Sequence, residues 1–169
     1  MYYFYNSVFF YHSSTYQCFS IRCKSSESRT NLYVNIPPSL TFLSSPVYAN
    51  NLPITADGST NTQVDAAANG VPIVHIAAPN SGGLSHNTFT DYNVNPNGLI
   101  LNNAANNTDG IIMTQIGGII TDNKNLANSG PASIILNEVT SSNKSYLNGY
   151  TEIAGQQADL IIANPNGIQ

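Results

Sequence analysis

The sequence predicts an all-β protein and, within that class, a parallel β-helix. Three observations carry this expectation: short apolar runs recur between polar turns, the runs are rich in Ile and Val, and one turn peptide is written twice. Runs this short are poor helices, and β-branched side chains suit a pleated, half-buried surface.

The runs fall at residues 71–76, 99–101, 111–113, 116–120, 134–136 and 160–162. Each is bounded by Asn, Gly, Asp or Ser and reads as a strand. Centres of the later runs lie roughly 15 to 26 residues apart, about one coil of a solenoid. On this reading Leu99, Leu101, Ile120, Ile135 and Ile161 stack in the interior. A β-sandwich is the alternative architecture.

The repeated peptide is Asn95-Pro96-Asn97-Gly98-Leu99 and Asn164-Pro165-Asn166-Gly167-Ile168. Proline fixes φ, Asn-Gly supplies a turn with positive φ, and an aliphatic residue re-enters the core. Asparagine tolerates left-handed turns and bonds its own backbone, so it lets a chain bend between short strands. At equivalent corners of successive coils its amides could also pair in ladders.

Composition changes sharply near Ala49. Before it stand 12 of the 16 aromatic residues, both cysteines (Cys18 and Cys23) and every arginine. After it come only Lys124 and Lys144, against eight acidic residues and many asparagines. Charged residues make up 8% of the chain and the net charge is −4, which argues against a nucleic-acid binder. No apolar run approaches the ~20 residues of a membrane-spanning helix. Cys18 and Cys23 lack neighbouring metal ligands and read as incidental thiols.

Residues 1–49 read as a degenerate signal peptide or N-terminal extension. Leu40-Thr41-Phe42-Leu43 is apolar, and Val47-Tyr48-Ala49 before Asn50 resembles a signal-peptidase site. Pro37, Pro38 and Pro46 crowd an apolar run shorter than the usual one. The folded domain is expected to occupy 50–169, with order beginning between Asn50 and Thr55.

From Asn69 onward the residues become familiar. Asn69-Gly70-Val71-Pro72-Ile73-Val74-His75-Ile76, Gly83-Leu84-Ser85-His86-Asn87, Gly98-Leu99-Ile100-Leu101-Asn102-Asn103, Gln115-Ile116-Gly117-Gly118, Gly149-Tyr150-Thr151-Glu152-Ile153-Ala154-Gly155 and Asn164-Pro165-Asn166-Gly167-Ile168 follow in order. Over residues 50–169 the chain resembles the secretion domain of filamentous haemagglutinin-type exoproteins of the two-partner secretion pathway. The resemblance implies a right-handed, single-stranded, pectin-lyase-like parallel β-helix with capping β elements. It also implies a secretion-targeting module of a Gram-negative surface or secreted protein, exported through the periplasm. Its partner would be a dedicated outer-membrane transporter, an Omp85-type barrel with periplasmic domains. The passenger beyond it, an adhesin, haemagglutinin or contact-dependent toxin, would meet a host or neighbouring cell.

Two family motifs are implied as secretion determinants: Asn123, Asn125 and Leu126, and Asn164, Pro165, Asn166, Gly167 and Ile168. Lys124 stands where the family usually carries proline, which puts the rigidity of that turn in question. Family members continue beyond the second motif, so the chain is expected to hold only the N-terminal part of such a domain.

No catalytic residue, cofactor or metal is expected. Ser85 and His86 lack the second glycine of a nucleophile elbow, point to opposite faces if extended, and read as a polar turn. His75 has too few companions for a metal site and reads as a rung- or solvent-facing histidine. Asp122-Asn123-Lys124-Asn125 places a cation where a calcium loop needs oxygen. Asn106-Asn107-Thr108 and Asn143-Lys144-Ser145 match the glycosylation pattern, as chance allows in so Asn-rich a chain. The alternatives are a β-helical polysaccharide-active enzyme and a carbohydrate-binding module. The first lacks arginine and clustered acids after Ala49; the second has only Phe89, Tyr92, Tyr146 and Tyr150 for platforms.

Overall fold

A computed structural model describes residues 53–169; the N-terminal segment, with both cysteines and the candidate cleavage site, lies outside the described residues. The fold is all-β. Its strands are β1 (Thr55–Ala56), β2 (Gln63–Ala66), β3 (Pro72–His75), β4 (Leu84–Asp91), β5 (Leu99–Asn103), β6 (Ile111–Thr114), β7 (Gly118–Thr121), β8 (Ile134–Val139), β9 (Thr151–Gly155) and β10 (Asp159–Ala163). A 3-10 turn spans Lys124–Leu126.

Two ladders organise the chain. In the first, β3, β5 and β9 run parallel and β2 caps β3 in antiparallel fashion. In the second, β4, β8 and β10 run parallel and β1 caps β4 in antiparallel fashion. A third column is made by parallel bridges, Val94 to Leu147 and Ser145 to Ile168. The chain therefore visits first ladder, second ladder and third column in turn, and then repeats the circuit.

Flush parallel register puts equivalent residues on one face. Val74 and Leu101 share an inward row of the first ladder with Ile153; Ser85, Ile135 and Leu160 share one in the second. Inward rows of both ladders meet in one core of Val74, Leu99, Leu101, Phe89, Ile135, Val139, Leu160 and Ile162, closed at the corners by Ile76, Tyr92, Val94 and Leu126. Phe89 and Tyr92 meet edge to face, with centroids 5.0 Å apart.

The outer face of the first ladder is also covered. Strands β6 and β7 form an antiparallel hairpin inserted between β5 and β8. Its Ile120 packs with Ile73, Ile100 and Ala154 in a second core. All of β5 is thus buried, which explains its unbroken Leu99-Ile100-Leu101 run.

Three sequence expectations need correction. Runs 111–113 and 116–120 are the two arms of this hairpin, not successive coils, so their spacing does not measure a coil. Ile120 belongs to the outer core. Ile161 is in register with Leu136 and His86 on the outward face, and its neighbours Leu160 and Ile162 point inward. A run of three aliphatic residues hides which phase of the strand is buried.

Asp57 pins the N-terminal cap. Its carboxylate accepts hydrogen bonds from Ser59 N (2.8 Å), Ser59 Oγ (2.8 Å), Thr88 Oγ1 (2.7 Å) and Thr140 Oγ1 (2.8 Å). Burial opposes its ionisation, but the bonds from Thr88, Ser59 and Thr140 outweigh that and hold the carboxyl well below the usual carboxylate range. A depressed carboxyl stabilises the fold above its unfolded value of 3.8, and that contribution is lost as pH falls further.

Two outcomes follow for unfolding in urea. Leu101→Ala should lower stability by about 3 kcal/mol, whereas outward-facing Ile161→Ala should cost less than about 1 kcal/mol. Asp57→Asn should destabilise at neutral pH and flatten the loss of stability seen below about pH 4.

Candidate functional site

The two motif segments fold as the same device. Asn123 caps the 3-10 turn from an extended conformation (φ −77°, ψ 111°), and its Oδ1 accepts from Asn125 N at 3.0 Å. Its Nδ2 donates to Ile76 O at 2.9 Å and Asn102 O at 3.0 Å. Asn125 Nδ2 donates to Asn61 O (2.8 Å) and Ile76 O (3.1 Å), and Asn61 Nδ2 returns a bond to Asn125 Oδ1 (2.8 Å). Leu126 drops into the main core.

In the second motif Asn164 Oδ1 accepts from Asn166 N at 2.9 Å. Asn164 Nδ2 donates to Asn143 O and Ser145 Oγ, both at 2.9 Å. Asn166 Nδ2 reaches Ser141 O at 2.7 Å, and Gly167 N closes the turn on Asn164 O at 3.2 Å. Gly167 holds φ at 106°, a region that residues with a Cβ avoid. Ile168 packs against the core and bridges Ser145.

In both turns an Asx bond joins the first asparagine to the second, and the side-chain amides reach acceptors on other segments of the chain. Asn123 is 2% exposed and Asn164 is 0% exposed. What faces solvent is Lys124 in one turn and Pro165 in the other. Lys124 stands where the resemblance led one to expect proline, yet the turn is held by the Asn123 cap and by Ala127 N donating to Lys124 O at 3.3 Å.

The turns sit at different corners. Asn123–Leu126 closes the passage from the first ladder to the second, against Ile76 and Asn102. The Asn164 turn joins the second ladder to the third column. The twin peptide at Asn95 lies at yet another corner, between the third column and β5, where Leu99 N bonds Tyr150 O at 2.9 Å. The two copies of the repeated peptide therefore do not stack on one another. Asx-Pro-Asn-Gly chemistry makes a turn wherever one is needed, so its recurrence does not report coil phase.

Ser85 and His86 lie in β4, not in a polar turn. Ser85 Oγ is buried and donates to Ala77 O at 2.7 Å; His86 Nε2 is on the other face, 2.8 Å from Glu138 Oε2. They share no chemistry. Asp122 is engaged by Asn107 through its backbone N–H at 2.8 Å and its side-chain amide. Among the described residues no cluster of three or more His, Cys, Asp or Glu could hold a metal.

Sequence reasoning missed three supports. Asn61 forms the reciprocal pair with Asn125. Asn103 donates to Ala132 O (2.9 Å) and Gln156 O (2.8 Å) and accepts from Ala132 N (2.8 Å), tying successive coils at a buried corner. Glu152, also buried, accepts from Gln115 N (2.8 Å) and Ile116 N (3.1 Å) and grips the hairpin turn. The signal for Glu152 was an acid inside an otherwise neutral segment.

The chain matches the family model described as "TPS secretion domain" over residues 52–169. It is 56% identical over 110 residues to the 16S rRNA endonuclease CdiA of Enterobacter cloacae subsp. cloacae, covering 65% of this chain and 3% of that protein. It is 50% identical over 134 residues to the tRNA nuclease CdiA of Escherichia coli O6:K15:H31, covering 76% of this chain and 4% of that protein. Against filamentous hemagglutinin of Bordetella pertussis it is 52% identical over 107 residues, covering 63% of this chain and 3% of that protein. The chain thus spans only a few hundredths of the length of these curated relatives. The crystal structure of a filamentous hemagglutinin secretion domain superposes with a TM-score of 0.60 at 47% identity, covering 68% of this chain and 36% of that one.

Gly167→Ala should cost about 1–2 kcal/mol through its positive φ, and Asn164→Ala about 1–3 kcal/mol by stranding buried main-chain partners. Both are read as lower midpoints in thermal unfolding. Pro165→Ala, at an exposed position, should change the midpoint far less.

Proposed function

Because this chain belongs to the TPS secretion domain family, we propose that its asparagine turns are the secretion determinants and that they work by fixing the shape of two corners. The chain is a secretion module of the filamentous haemagglutinin and CdiA kind. The observation that carries the proposal is the orientation of Asn123 and Asn164. Both are buried, with their amide groups engaged inside the fold, so a partner meets the turn they shape and not the amides themselves.

In this reading residues 50–169 are the secretion module and residues 1–49 a leader or extension. The two parallel ladders and the third column are coils of a right-handed β-helix, capped by β1 and β2, a reading supported by the likeness to the solved secretion domain. The recognising partner is an outer-membrane transporter of the two-partner secretion pathway, with export through the periplasm to the cell surface or medium. The passenger is an adhesin, haemagglutinin or contact-dependent toxin acting on another cell. Short coils stacked in flush register suit this task, since each completed coil offers its strand edges as the template for the next.

The test compares export with stability. Asn125→Ala and Asn166→Ala are assayed for secretion beside the cognate transporter, and their melting temperatures are measured in parallel. Export falling in step with the melting temperature is the predicted result. Lost export at an unchanged melting temperature would instead make these amides a direct contact, and normal export in both variants would remove the motifs from secretion.

A further inference from the structure

Asn102 is fully buried in the middle of β5, and every atom of its amide has an assigned duty. Its Oδ1 accepts from Ala104 N at 3.1 Å. Its Nδ2 donates one hydrogen to Thr121 O, the end of hairpin strand β7, at 2.9 Å. The other hydrogen points at His75 Nδ1, at 3.2 Å. Turning the amide over would set its oxygen against Thr121 O and its NH2 against Ala104 N–H, losing both bonds. The amide is therefore fixed, and His75 Nδ1 has to be the acceptor. That tautomer is a neutral ring with its proton on Nε2.

We propose that His75 is a proton-sensitive latch for the β6–β7 hairpin: neutral, it helps hold the Asn102 amide on Thr121; protonated, it sets two donors against each other and loosens the hairpin and the Asn123 turn that follows it. The connection is short. Thr121 lies two residues before Asn123, and Asn123 Nδ2 itself donates to Asn102 O at 3.0 Å. One side chain thus bridges the histidine and the hairpin, and the neighbouring main-chain carbonyl anchors a motif turn.

The surroundings set the direction of the response. Across β2, Gln63 is opposite His75, and Asp65 is the acid whose field favours the charged ring. On β5 and β7 the facing residues, Asn102 and Thr121, carry no charge, and the nearby Asp122 is engaged by Asn107. Burial outweighs Asp65 and lowers the His75 pKa below its ordinary 6.5. A histidine with a lowered pKa stabilises the fold above 6.5, and this contribution is lost as pH falls through the folded value.

The test uses the whole chain. Nitrogen chemical shifts of the His75 ring are recorded by NMR at neutral pH, and hydrogen exchange of β6, β7 and Asn123 is followed from about pH 7.5 to about pH 5.5, corrected for intrinsic rates. The expected result is an Nε2-H tautomer and an acceleration of hairpin exchange by about fivefold, the factor carried by one typical net hydrogen bond. His75→Gln, whose carbonyl can accept from Asn102 at any pH, should abolish the acceleration. His86→Gln, on the other ladder, should leave it intact. An Nδ1-H tautomer in the unmutated chain would overturn the latch without any variant. So would acceleration that persists in His75→Gln, or exchange that ignores pH.

Discussion

A chain that passes through two ladders and a bridged third column in each circuit leaves main-chain groups at its corners with no ladder partner, and burying such groups unpaired costs on the order of 1–3 kcal/mol each. The rest of this structure follows from how that need is met. At one corner Asn102, Asn103 and Asn123 bond Thr121, Ala132, Gln156 and Ile76 across successive coils. At the next, Asn164 and Asn166 bond Asn143, Ser145 and Ser141. Asparagine suits the task because a short neutral amide carries both donors and an acceptor. A carboxylate or an ammonium there would bring a charge that burial penalises.

With corners satisfied from within, coils can stack closely, and glycine appears where the approach is closest. A Cβ on Gly98 would lie 2.9 Å from Tyr150 O, and one on Gly155 would lie 2.6 Å from Asn103 O. Both glycines also hold positive φ. The first ladder receives the hairpin on its outer face, where buried Glu152 fixes the hairpin's turn. The hairpin's own outer face remains apolar and open, with Met113 78% exposed and Ile119 60% exposed.

Much of this was legible in the sequence, and the failures have physical causes. Strands β3, β5, β8 and β10 were visible because their inward rows are aliphatic. Strand β4 was not, because Ser85 and Asn87 occupy inward positions and are made compatible with the core by Ala77 O, Ala77 N and Thr62. Strand β9 hides for a related reason: its Glu152 faces the hairpin, not solvent. Hydropathy cannot register a polar residue whose partners are distant in the chain. The motif residues were legible as turns, but their inward orientation was not, since it depends on Ile76, Ser141 and Ser145 arriving from other coils.

The central claim is that the motif asparagines serve the inside of the fold. Hydrogen exchange of their side-chain amides tests it most directly. The NH2 groups of Asn103, Asn123 and Asn164 should exchange at least about a hundredfold more slowly than that of exposed Asn106, because opening each one requires a corner to come apart. Exchange of Asn123 and Asn164 as fast as that of Asn106 would mean these amides are free for a partner, and would contradict the account.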